Sequence, residues 1–239
     1  MIFKPASFRL WNFWAPYYEK LWVQSVSLTP TRRAVIQQVS AWIQSYQPLH
    51  AHQAHETHTA QPSSPTFPKL RILDVGCGTG QLLRDIRRAF PHLPLELTGV
   101  DYAPAMIAQA QALESGETRP ITYACLTAQQ LDQLPQPCHL ILCTHSFPYY
   151  PDQRKALDQF RQALVPGGHV IMAQAAGVTL YDRFVLFFVK WTTGAALYPS
   201  EPAVRQLIHR RFQVKLVRPL RGKWFMPTIL LFHLEEAAQ

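Results

Sequence analysis

The stretch Ile72-Leu73-Asp74-Val75-Gly76-Cys77-Gly78-Thr79-Gly80 decides the fold. An apolar run carries an acid near its end, three glycines alternate with small residues, and Gln81-Leu82-Leu83-Arg84-Asp85-Ile86 then takes up a helical pattern. That order predicts a buried strand, a tight turn and a helix N-terminus. Glycine suits a turn whose backbone touches a ligand, because a Cβ there would collide with it. A dinucleotide-binding turn would read G-x-G-x-x-G, its third glycine packing helix on strand. Here the glycines stand at 76, 78 and 80, and position 81 is Gln. A plain strand-to-helix turn is the simpler reading of the same string.

Further along, Leu95-Glu96-Leu97-Thr98-Gly99-Val100-Asp101 predicts a second strand ending in an acid. An ionised acceptor there can take both hydroxyls of a ribose. Taken alone, Asp101 is equally a helix N-cap. Pro104 in Tyr102-Ala103-Pro104-Ala105-Met106-Ile107 suits the first turn of the helix that follows.

These two segments together resemble the class I S-adenosylmethionine (SAM) methyltransferases, whose first motif is D/E-x-G-x-G-x-G, and in particular the broad type 11/25-like group acting on small molecules, lipids and quinones. The resemblance implies SAM as cofactor. It sets Asp74 beside the cationic amino end of the methionine moiety and the turn Gly76, Cys77, Gly78, Thr79 and Gly80 against the ligand. It sets Asp101 on the ribose, with Tyr102 and Met106 flanking the adenine. Ala103 replaces the usual Ser of the pattern G-x-D-x-S-x-x-M. Relatives carry an acid where Thr127 stands, so the adenine amino group is left to the Thr127 hydroxyl and to backbone amides near Ala128. A Val165-Pro166-Gly167-Gly168 turn before a fifth strand is another recurrent family feature.

The rest of the chain continues the alternation. Strands are expected at Ile121 to Cys125, Cys138 to Cys143 and His169 to Gln174, with a helix from Gln153 to Leu164. Glu201 to Arg211, Gln213 to Val217 and Trp224 to Leu234 supply a last helix and two strands. The expected fold is α/β: a Rossmann-like, doubly wound, seven-stranded and mostly parallel sheet with a C-terminal antiparallel hairpin. Three regions are expected: an N-terminal helical lid (1–47), a Pro- and His-rich flexible linker (48–68) and a SAM-binding domain (69–239) with an aromatic insertion (177–199). His50, His52, His55 and His58 fall in the linker without a completing cage, so no metal site is expected.

In open α/β sheets ligands sit beyond the carboxyl ends of the strands. The loop Thr144-His145-Ser146-Phe147-Pro148-Tyr149-Tyr150 therefore faces the transferable methyl, with Thr144 on the cofactor side. His145 is the candidate general base, since imidazole titrates near neutrality. Its plain reading is a loop residue bonded to backbone. Tyr149, Tyr150 and Tyr18 are candidates for orienting the acceptor or stabilising a cationic one through their ring faces. Tyr18-Glu19 is similar to the Y-D or Y-E element that folds over the cofactor in related methyltransferases; a helix merely packed on the sheet reads equally well. In the insertion, positions 180, 184, 187, 188 and 191 share a helical face and are expected to roof an apolar acceptor pocket, unless they are ordinary core.

The expected acceptor is therefore small and apolar or lipid-like. The formal charge of +8 keeps an RNA methyltransferase open as an alternative, although the basic residues are scattered and form no RNA module, so nucleic acid is not the expected partner. A non-catalytic SAM-fold partner protein is a further alternative. The same charge beside the aromatics of 8–23 and 181–198 suits peripheral contact with an anionic membrane. Met1 to Leu10 holds no apolar run of signal-peptide length, which predicts a cytoplasmic protein. The oligomeric state is not legible.

Overall fold

The computed structural model describes residues 8–55, 69–193, 196–220 and 222–237. Seven strands, β1 (Leu70–Val75), β2 (Leu95–Asp101), β3 (Thr122–Cys125), β4 (Cys138–Thr144), β5 (Leu164–Ala175), β6 (Phe212–Leu220) and β7 (Ile229–Glu236), form one sheet in the order β3-β2-β1-β4-β5-β7-β6. The pairs from β3 through β5 are parallel, and β7 runs antiparallel to both β5 and β6. The expected doubly wound sheet and its closing hairpin are both present. The order reverses direction between β1 and β4, and in such sheets that switch point opens a crevice at the carboxyl ends of the strands.

The helices are α1 (Phe8–Trp14), α2 (Thr29–His55), α3 (Gln81–Ala89), α4 (Pro104–Ala112), α5 (Gln153–Ala163), α6 (Leu180–Thr193) and α7 (Glu201–Ile208). Strands β1 and β4 are apolar on both faces because both are covered, as parallel strands require. On one side Ile72, Leu140 and Ile171 pack with Val35, Val39 and Trp42 of α2 and Leu83 and Ile86 of α3. On the other, Leu73, Ile141 and Met172 pack with Ala156, Leu157 and Phe160 of α5 and Val204 and Ile208 of α7. The entry to α5 is fixed by Asp152, whose carboxylate accepts the Lys155 N–H at 2.9 Å.

Three expectations change. Strand β5 begins at Leu164, not His169, because Leu164 already pairs with Cys138. The pairing then jumps to Leu140 with His169, so 165–168 form a bulge inside the strand rather than a break before it. Helix α2 runs on to His55, past the expected linker boundary at 48. Residues 56–68, including His58, lie outside the described residues. Finally, α6 turns its aromatics outward. Asp182 and Leu186 are its inner residues, at 2% and 4% exposure, whereas Phe184, Phe187 and Phe188 are more than half exposed.

Candidate active site

The crevice at the switch point is a cavity of about 510 Å³, continuous in its lining with a small recess of about 50 Å³. The larger space is walled by the β1 turn, the end of β2, the loops after β3 and β4, and the segment around α1. Gly76, Gly78, Asp101, Tyr102, Met106, Thr127, Ala128, Thr144, His145, Tyr149 and Tyr18 all line it, so eleven sequence-predicted residues converge. Asp74, Cys77 and Thr79 line the recess instead.

The three glycines of the turn have left-handed φ values of 77°, 54° and 76°. Their surroundings differ, and this corrects the idea that all three make room for a ligand. A Cβ on Gly76 would lie 2.3 Å from Ser146 Cβ. One on Gly80 would lie 2.1 Å from the Tyr123 hydroxyl, and Gly80 lines neither cavity. Gly80 is thus a packing residue. Only Gly78 is open, with the Tyr18 ring at 3.6 Å from its ideal Cβ. Beneath the turn, the Ser146 and Tyr150 hydroxyls both donate to the Val75 carbonyl, at 2.7 and 3.0 Å. They tie the end of β1 to the loop after β4.

Asp101 is 8% exposed. Its two carboxylate oxygens accept the N–H groups of Gly78 and Ala103, each at 2.9 Å. Burial raises its pKa, opposed by those amides. Each oxygen keeps a further lone pair for a ligand hydroxyl. Asp74 is 2% exposed, and its Oδ1 meets no partner among the described residues. Burial, with the Asp101 charge behind it, pushes Asp74 up to about 8. A buried carboxyl of this kind is costly unless something cationic or hydrogen-bonding completes it. Thr144 Oγ1 and His145 Nε2 are likewise buried without a partner. Such orphaned groups are rare in finished interiors and mark a space shaped for a polar ligand.

His145 has a left-handed φ of 60°, and its N–H donates to the Ala173 carbonyl at 2.7 Å. A non-glycine residue held there stores about 1–2 kcal/mol of strain, which is common at functional sites. Burial and the nearby Arg32 charge lower its pKa to about 4, so the imidazole is neutral at physiological pH. Tyr149 stacks edge-on to Trp11 at 5.3 Å and shares a hydroxyl hydrogen bond with Tyr198 at 3.1 Å. The Thr127 hydroxyl donates to Gln130 Oε1 at 2.8 Å, which spends its proton and leaves the oxygen as an acceptor.

The Tyr18-Glu19 pair divides its work. Tyr18 faces the cavity, and burial raises its pKa, so the phenol stays protonated. Glu19 accepts the Thr79 hydroxyl at 2.7 Å and pairs with Arg84, whose guanidinium also donates to the Thr79 carbonyl at 2.5 Å. Asn12 accepts the Ala105 N–H at 3.1 Å and so caps the start of α4. The N-terminal segment is therefore bonded across the glycine turn. Met106 packs with Ala15, Trp11, Trp14 and Tyr18.

Sequence reasoning missed Arg32, Gln81, Ser146 and Trp11, whereas Tyr150, expected to orient the acceptor, does line the larger cavity. Arg32 and Gln81 line the recess, and Gln81 Oε1 is another buried atom without a partner. Among the described residues the insertion supplies no roof: no α6 residue lines either cavity, and the segment meets the wall from behind, through Tyr198 on Tyr149 and the Leu197 N–H on the Pro148 carbonyl. The helical period correctly grouped 180, 184, 187 and 188, but a period cannot say which side of a helix is covered. Among the described residues no three His, Cys, Asp or Glu groups are placed to hold a metal.

Residues 72–168 match the family model described as a methyltransferase domain. Over 106 residues the chain is 31% identical to the ubiquinone biosynthesis O-methyltransferase of Photorhabdus laumondii, covering 43% of this chain and 42% of that protein. It is 30% identical over 106 residues to the enzyme of the same name from Pseudomonas syringae, covering 43% of each. The chain thus spans less than half the length of the curated relatives it matches. Among solved structures, the magnesium protoporphyrin IX methyltransferase of Synechocystis with bound SAM superposes with a TM-score of 0.62 at 14% identity, covering 97% of this chain and 93% of that one. The N-methyltransferase NodS of Bradyrhizobium japonicum, in complex with S-adenosyl-L-homocysteine, gives 0.55 at 20% identity over 71% and 79%. The matched segment carries the glycine turn and β2 through β4, and over it the chain is similar to SAM-dependent methyltransferases.

Proposed function

We propose that the chain transfers the methyl group of SAM to a small, largely apolar acceptor. The observation that carries this is the ring of buried polar atoms around the glycine turn, set in a cavity otherwise walled by aromatics. Asp101 suits the ribose, Thr127 the adenine amino group, and Asp74 with Gln81 and Arg32 the two charged ends of the methionine moiety. The cofactor supplies an activated methyl on a sulfonium. The chain has then to bring an acceptor in line behind that methyl and exclude water, a contribution worth up to ~7–11 kcal/mol for well-oriented pairs. Trp11, Tyr18 and Tyr149 suit a flat apolar acceptor, and their ring faces suit the positive charge of the sulfonium. The larger cavity carries no Lys or Arg in its lining among the described residues, Arg32 being confined to the recess, which favours such an acceptor over a phosphate-rich nucleic acid. Curated relatives named for ubiquinone biosynthesis support the same class.

His145 Nε2, neutral and unpartnered, is the group that accepts the acceptor's proton. With a pKa near 4 it is a weak base, so its share lies toward the low end for a general base. His145→Ala is expected to lower turnover by roughly tenfold to a hundredfold with cofactor affinity retained. Unchanged turnover on the true acceptor would remove it from the mechanism.

Asp74 gives the site a pH dependence. In the free protein it holds a proton below about pH 8. Pairing with a cationic amino group requires the ionised form, so binding releases that proton. Affinity for SAM should rise between about pH 6 and about pH 8, by at most tenfold per unit, and level off where the ligand amine itself deprotonates. The pH profile of Asp74→Asn should be flat by titration calorimetry; a wild-type-like slope in that variant would locate the proton elsewhere. The acceptor class is tested by incubating the chain with methyl-labelled SAM and a lysate fractionated into lipid, RNA, protein and small-molecule pools. Label is expected in the lipid or small-molecule pool; label confined to RNA would overturn the reading.

A further inference from the structure

Helix α6 is amphipathic the wrong way round for a helix that faces water. Its inner side holds Asp182 and Leu186. Its outer side presents Leu180 at 83%, Phe184 at 63%, Phe187 at 55% and Phe188 at 52% exposure. Phe188 touches both of its neighbours, with ring centroids 5.0 Å from Phe184 and 5.6 Å from Phe187. A surface helix ordinarily places charge on that side. Contiguous exposed apolar surface of this kind marks a contact site.

The patch extends beyond the helix. The turn between β6 and β7 carries Trp224, at 87% exposure, stacked on Phe225. Two bonds clip that turn to α6: the Tyr181 hydroxyl donates to the Phe225 carbonyl at 2.9 Å, and the Asp182 carboxylate accepts the Thr228 N–H at 2.8 Å. Helix and turn are therefore one surface, fixed from beneath by a buried acid.

Charge tells what this surface meets. Across 177–199 and 221–228 the sequence places Arg183, Lys190, Arg221 and Lys223 against a single acid, Asp182. That acid is buried and engaged by backbone amides of Thr179 and Thr228. Bulky exposed aromatics with exposed Arg183 and Lys223 among them, on a chain of formal charge +8, fit the interface of an anionic bilayer, where the rings enter the headgroup boundary and the cations meet phosphates. No described helix is long and apolar enough to cross a membrane. We propose that α6 and the β6–β7 turn form a docking face for anionic lipid surfaces. This proposal is independent of the acceptor and of cofactor binding.

The test is sedimentation of the full chain with vesicles of phosphatidylcholine, alone or with phosphatidylglycerol, at low salt, with light scattering of the lipid-free protein. The chain should pellet with the phosphatidylglycerol vesicles and be released by salt. The variant carrying Leu180→Ser, Phe184→Ser and Trp224→Ser should bind at least about a hundredfold more weakly, since each lost side chain is worth roughly tenfold. Arg183→Glu with Lys223→Glu should weaken binding at least about tenfold. Unchanged melting temperature and SAM affinity would show that the variants are folded, and a variant that fails this check is replaced by the single change Trp224→Ser, expected to cost about tenfold. No pelleting of the wild type, undiminished binding of folded variants, or a lipid-free dimer that the apolar variant dissociates would overturn the proposal, the last by assigning the face to a second copy.

Discussion

Gly76→Ala should destabilise the fold by about 2–5 kcal/mol and remove cofactor binding with it. Two costs combine. A φ of 77° is left-handed, which an alanine adopts at about 1–2 kcal/mol. The added methyl would also stand 2.3 Å from Ser146 Cβ and 2.7 Å from its hydroxyl oxygen. Ser146 cannot yield freely, because its hydroxyl donates to the Val75 carbonyl at 2.7 Å. Relieving the overlap means moving the loop after β4, with His145 on it, at a further ~1–3 kcal/mol. Gly116→Ala is the control: its φ is 86°, yet nothing lies within 4 Å of the added carbon. It should cost only the backbone strain. Urea unfolding of both variants measures the difference, and equal losses would mean that the Ser146 contact is soft.

The second large effect is at Asp101. Asp101→Ala should weaken SAM binding by about a hundredfold to ten-thousandfold, since hydrogen bonds to a charged acceptor contribute ~1.5–3 kcal/mol each and two ribose hydroxyls are involved. The variant also frees the Gly78 and Ala103 amides, so the turn loses its brace along with the ribose anchor. Asp101→Asn separates the two contributions. Its amide oxygen retains one of the braces while the charge is gone, and an intermediate loss of at least about tenfold is expected. Calorimetric titration with SAM, read beside the melting temperature, distinguishes a lost ligand contact from a collapsed turn. Wild-type affinity in a folded Asp101→Ala protein would place the ribose elsewhere.

The parts of the fold that were legible in the sequence are those written in local chemistry. The glycine string and the acid at the end of Leu95–Asp101 announce a turn and a strand terminus whatever surrounds them, and both stand where expected. Buried parallel strands read as continuous apolar runs, so β1 and β4 were plain. Features that depend on a distant neighbour were not. Gly80 reads as a ligand glycine until Tyr123 is seen against it. Arg32 lies far upstream of the turn in sequence and enters the recess only because α2 packs on α3, where it also pairs with Asp85 at 3.1 Å. Ser146 looked like an ordinary loop residue and Tyr150 like an acceptor contact, although the Val75 carbonyl holds both hydroxyls. The outward aromatics of α6 are the sharpest case: apolar residues at helical spacing predict a shared face, and burial is the default use of one. Here the buried side is the one that carries Asp182.

The account stands on the claim that the switch-point crevice holds an adenosyl sulfonium ligand with its ribose on Asp101. A crystal structure grown with S-adenosyl-L-homocysteine tests this most directly. The account predicts ribose hydroxyls within hydrogen-bonding distance of the Asp101 carboxylate, the amino acid end in the recess beside Asp74, and main chain at Gly78 against the ligand. An empty crevice at saturating ligand, or a ribose anchored away from Asp101, would contradict it.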